Sequence, residues 1–130
     1  MSTTFTCDHS SRRVFIVRRG VFTIDDLIDS VRRMRATNVW GYSVLVDARE
    51  ASAELSPIES HQLVDRIGGI GDATERGAIA VVAADDLTFG MLRMFSSLAG
   101  SVGMRVRPFR DIAHAEFWLL QMSQGEQDPS

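Results

Sequence analysis

The 130-residue chain has no lysine; all 14 of its basic residues are arginine. Schiff-base chemistry and the phosphate-gripping lysine of a P-loop are therefore excluded. Cysteine is almost as scarce. The single Cys7 has no intramolecular partner, so no disulfide braces the fold, and a reducing, cytoplasmic setting is expected. A lone cysteine in a β-prone run reads as a small core residue. No apolar run approaches the roughly 20 residues of a membrane helix. The opening MSTTFTCDHSSRR lacks the apolar region of a secretory leader, and none is expected. A net charge of −3 gives no basic footprint, so no nucleic-acid partner is expected. His9, His61 and His114 lie far apart without HExxH or Cys-x-x-Cys spacing, and no metal or other cofactor is expected. Gly-x-Ser-x-Gly is missing as well. No stretch has the spacing of an enzyme site, and the chain is expected not to be an enzyme.

What is present is ordinary globular composition, 45% hydrophobic and 24% charged, in a length suited to one domain. Residues 3–8 and 14–19 are β-prone runs around His9, Ser10 and Ser11, which predicts a hairpin ended by Gly20. Thr23 then caps a run in which Ile24, Leu27, Ile28, Val31 and Met34 recur at helical spacing. Acids fill its first turns and Arg32, Arg33 and Arg35 its last, the order a helix dipole favours; Asn38 is the expected stop. Residues 42–47 form a buried strand, with a loop over 48–55. Ser56-Pro57-Ile58-Glu59 places a cap, a first-turn proline and a capping-box acid in register. Ile58, Leu63, Val64 and Ile67 mark that helix's inner face, and Gly68, Gly69 and Gly71 its end.

Residues 78–84 show no polar alternation, so this strand is expected to be interior and covered on both faces. The next helix is expected to open on Asp86 or Thr88, with Met91, Leu92, Phe95, Leu98, Ala99 and Val102 on its buried side. Phe89 and Met94 fall outside that stripe. In residues 104–109, Pro108 lacks a backbone donor and predicts an edge strand. Asp111 caps a last helix with Ile112, Ala115, Trp118, Leu119 and Met122 inward and Phe117 and Leu120 elsewhere. Residues 1–122 make one domain and 123–130 a disordered polar tail. The order β-β-α-β-α-β-α-β-α is α/β: four mostly parallel strands with helices, plus an antiparallel N-terminal edge strand.

Ligands of parallel sheets bind at the strands' carboxyl ends. The candidates there are Asp47, Arg49, Asp85 and Asp86, although helix capping and local ion pairing account for acids at such places. Phe89, Met94, Phe117 and Leu120 are surplus apolar residues and the candidates for a self-association or protein-partner surface.

Four segments in order carry a family resemblance: Val44-Leu45-Val46-Asp47-Ala48-Arg49, Ala80-Val81-Val82-Ala83, Phe89-Gly90-Met91-Leu92-Arg93-Met94-Phe95, and Pro108-Phe109-Arg110-Asp111 with Ala115 and Trp118-Leu119. Together they resemble the SpoIIAA-like superfamily, which holds the STAS domains and the CRAL-TRIO (SEC14-type) lipid binders. The resemblance implies a β-α superhelix and no catalytic apparatus. In STAS-type anti-sigma-factor antagonists a serine of an Asp-Ser-Ser-Gly signature is phosphorylated. The matching position is Ser56, the phosphorylation candidate, but the chain reads Leu55-Ser56-Pro57-Ile58, without the acid, the second serine or the glycine. The resemblance thus implies a non-enzymatic regulatory or protein-interaction module, expected from the surplus apolar residues to be a homodimer, or alternatively a carrier of a small apolar ligand or lipid.

Overall fold

The structure, a computed structural model, describes residues 2–53 and 55–127. Strands β1 (Ser2–Asp8), β2 (Arg13–Phe22), β3 (Ser43–Ala53), β4 (Ile79–Val82) and β5 (Val106–Phe109) form one sheet in chain order. β1 runs antiparallel to β2, and the other neighbours are parallel. Between parallel strands lie α1 (Ile24–Ala36), α2 (Pro57–Ile70) and α3 (Asp86–Gly100); α4 (Ile112–Gln127) follows β5. Stepping always to the next strand with one crossover hand puts every crossover helix on the same side. α1 accordingly packs on α2 and α2 on α3, whereas α4 packs on β3, β4 and β5 from the opposite face.

The two-residue alternation of the strands feeds both layers. Val14, Ile16, Val44 and Val46 face the crossover-helix side, where Met34 and Val39 join them. Leu45, Ala80 and Val82 face α4 and meet Ala115 and Leu119. A further cluster under α1–α3 gathers Ile28, Leu63, Ile67, Phe95, Ala99 and Met104. β4 is interior, with β3 and β5 on its two sides, and the Pro108 strand lies at the edge, as their sequences predict.

Helix ends follow local chemistry. Thr23 and Ser56 both complete reciprocal capping boxes, with Asp26 and Glu59. α1 stops where Asn38 takes φ 59°; Asn38 and Val39 donate back to the Arg35 and Met34 carbonyls, a Schellman closure.

Several sequence-based boundaries are corrected. β2 continues through Gly20 to Phe22, and β3 continues to Ala53 where a loop over 48–55 is expected. The two strands pair beyond a bulge, Arg19 with Glu50 and Phe22 with Ala53. Partner pairing there overrides a weak local pattern. Gly68 and Gly69 lie inside α2, and Gly71 is its C-cap. Ile58 is 70% exposed because it sits in the first turn, above the helical layer, and Val102 lies exposed in the turn after α3. α3 is capped by Asp85, not by Asp86 or Thr88, and the last strand begins at Val106. α4 runs to Gln127, into the stretch read as a polar tail; residues 128–130 lie outside the described residues.

The arginine-only composition has a structural use. Guanidinium groups lie over seven rings: Tyr42, Phe15, Phe22, Phe5, Trp40, Phe109 and Phe89. A planar, weakly hydrated cation covers an aromatic face in a way an ammonium does not.

Candidate functional site

The carboxyl-end candidates separate into three local pairings. At the β3 bulge, Arg49 donates to both Asp47 oxygens at 2.9 and 2.8 Å, and Arg19 pairs with Glu50 at 2.7 Å. The Arg49 hydrogen bonds hold the Asp47 carboxyl below its ordinary range, against a smaller opposing effect of burial. Asp85 accepts from the backbone and hydroxyl of Thr88 at 2.7 and 2.8 Å, which lowers its pKa chiefly through the backbone bond. Asp86 bonds Arg110 at 2.7 Å, and that guanidinium also covers Phe89 at 4.2 Å from the ring centroid. Asp111 caps α4 through the His114 amide. These acids are engaged in capping and ion pairing, the roles helix starts ask of them.

Ser56 accepts the Glu59 amide at 3.2 Å while its own amide donates to Glu59. It is exposed at the head of α2, and the capping box accounts for it. Of the apolar candidates, Phe89 and Met94 are half-buried. Phe117 and Leu120 stand 62% and 53% exposed on α4. Among the described residues no group of three or more His, Cys, Asp or Glu could hold a metal ion, and no helix is long and apolar enough to cross a membrane.

Besides a hollow lined by Asp47, Arg49 and Glu50 at the carboxyl end of the sheet, a concave feature lies under the crossover helices. A cavity of about 140 Å³ separates the sheet from α1, α2 and α3. Val46, Val81, Leu63, Ile67 and Phe95 are among its apolar lining. Its polar groups are few: Arg18, Ser30, Ser52, Arg76 and Thr88. Register sets the two arginines toward opposite ends. Arg18 follows Val17, level with the last residues of β4, and Arg76 precedes β4 on the amino side.

The two guanidiniums are buried differently. Arg18, 8% exposed, bonds Ser30 at 2.9 Å and Thr3 at 3.5 Å and lies over Phe22. Burial takes its pKa down to about 10, with Asp26 pulling the other way. Arg76 is 4% exposed. It lies over the Trp40 ring at 4.7 Å, and its Nη1 reaches the Trp40 carbonyl at 3.4 Å. Its Nε has no hydrogen-bond partner. Burial takes its pKa down to about 10, and no carboxylate among the described residues offsets the cost. The Ser60 hydroxyl, also without a partner, is the other orphaned buried side-chain atom among the described residues.

A solved structure from Shewanella loihica PV-4, an uncharacterized protein of the DUF3478 family with a SpoIIAA-like fold, superposes with a TM-score of 0.56 over 91% of this chain and 92% of that one, at 15% identity. This chain has the SpoIIAA-like fold. At that identity the likeness extends to the fold alone. A structure described as Mglu overlaps 79% of this chain and 18% of that one at 14% identity, with a TM-score of 0.32 that carries no argument. No protein-family model and no curated protein matches the chain. Within the SpoIIAA-like frame, the sheet and the crossover helices α1–α3 supply the two walls of this half-open cavity.

Proposed function

We propose that this SpoIIAA-like protein is a non-enzymatic binding module whose cavity under α1–α3 takes a small apolar ligand. The observation that supports this is the cavity itself: about 140 Å³, lined mostly by aliphatic and aromatic side chains. Apolar cavities of roughly 150 Å³ stay dry and accept benzene or xenon. The volume also bounds the ligand. Drug-sized pockets start near about 300 Å³, so a whole lipid is too large for this space, and the carrier reading narrows to a small molecule.

Benzene is the simplest probe. Titration into labelled protein is expected to shift the methyl resonances of Val46, Leu63 and Ile67, which line the cavity, and to leave those of Leu120 on the far face unmoved. Shifts scattered over the surface, or none near saturation, would remove this reading.

A second reading, a regulatory module that self-associates, is supported by Phe117 and Leu120, both exposed on α4 and three residues apart, hence on one helix face. Light scattering is expected to give a dimer mass, reduced to monomer by Phe117→Asp. A wild-type monomer at micromolar concentration rules this reading out and leaves the cavity untouched.

A further inference from the structure

We infer that the cavity's ligand is a small monocarboxylate, with its apolar body among Leu63, Val81 and Phe95 and its anionic head on the Arg76 guanidinium; this rests on the cavity being a ligand site. Three observations carry the assignment. Arg76 lines the cavity. It is 4% exposed, with Nε unpartnered in a protein where buried polar atoms are otherwise almost all engaged. Among the described residues no carboxylate compensates it.

An isolated buried cation is costly, and proteins pair such groups or place them where a ligand will. Trp40 supplies one face for the guanidinium and a carbonyl for Nη1. The planar guanidinium carries paired N–H donors of the kind that match the two oxygens of a carboxylate. Arg18 is less suited to the role, because Ser30, Thr3 and the field of Asp26 already satisfy it. Cavity size limits the apolar body to a few carbons, as in a short branched or small cyclic acid. The cavity's apolar walls disfavour fully hydrated anions such as inorganic phosphate.

The test is calorimetric titration with isovalerate and with its uncharged isostere 3-methylbutanamide, on wild type and Arg76→Met, with benzene titrated in parallel. Wild type is expected to prefer the acid over the amide by at least about tenfold, because a site built for a polar group discriminates strongly against its absence. Arg76→Met is expected to erase that preference while still taking benzene. Its ligand-free melting temperature is expected to equal or exceed wild type, since a buried unpaired charge has been replaced by an apolar chain of similar length. A purely structural Arg76 would lower it. Should Arg76→Met fail to fold, Arg76→Lys keeps the charge without the planar fork and is expected to weaken isovalerate selectively. Equal binding of acid and amide, or a preference that survives both substitutions, overturns the head-group assignment while benzene binding leaves the cavity reading standing. Failure of benzene as well as isovalerate overturns both.

Discussion

Gly77→Ala is expected to destabilise the fold by about 3 kcal/mol or more, at the severe end of single substitutions. A Cβ at this position would lie 2.1 Å from the Tyr42 carbonyl oxygen and 2.7 Å from that of Gly41. Both contacts are backbone, so no side chain can rotate away. The two segments must part where β3 and β4 begin, breaking the Gly77 amide bond to the Trp40 carbonyl at 3.3 Å and disturbing the Val44 bond to Ala78 at 2.8 Å. Thermal unfolding should fall by roughly 10 °C for a domain of this size. Gly69 is the control. Nothing stands within 4 Å of a Cβ there, and it lies inside α2, so Gly69→Ala should raise stability by about 0.5–1 kcal/mol. Similar melting temperatures for the two variants would show that β3 and β4 do not approach as described.

Trp40→Ala is the other large effect, expected at about 3–5 kcal/mol. The indole is 5% exposed and its Nε1 donates to the Asp72 carbonyl at 2.8 Å. Gly71 comes so close that a Cβ would lie 2.7 Å from the ring. Removing the ring leaves a void and uncovers one face of Arg76, which then holds its charge against less of the protein. Trp40→Phe separates these contributions. It keeps an aromatic face and loses the indole donor, leaving the Asp72 carbonyl with the Glu75 amide alone, at a cost of about 0.5–1.5 kcal/mol. Chemical denaturation of the three proteins measures both. A loss under 1 kcal/mol for Trp40→Ala would place the indole outside the core.

The framework was legible in the sequence because its signals are local. Two capping boxes, Asn38 at the end of α1 and the apolar block before α3 each act over a few residues, and a strict alternation of strand and helix fixes a parallel sheet. Pro108 announced its edge position through the donor it lacks. The extension of β3 was hidden because residues 48–53 form a strand only by pairing with β2 across a bulge, a partner 31 residues away at Arg19 and Glu50. Asp47, Asp85 and Asp86 were found at the expected end of the sheet, but distances show them serving Arg49, Thr88 and Arg110.

The cavity was not legible. Its lining residues are the same aliphatic side chains that would fill a solid core, and whether they meet or leave space depends on how far three helices stand from the sheet. One signal did exist. Arg76 sits between the Asp72–Thr74 turn and the apolar run that begins at Ala78, an unusual place for a charge. A cation set directly before an interior strand points to an enclosed group that needs a partner.

An accessible apolar cavity between the sheet and the crossover helices should take up xenon, which diffraction from a xenon-pressurised crystal reads out. A xenon peak is expected among Val46, Leu63 and Phe95, under α2 and α3. Density with no xenon there, and those side chains in mutual contact across the space, would contradict it.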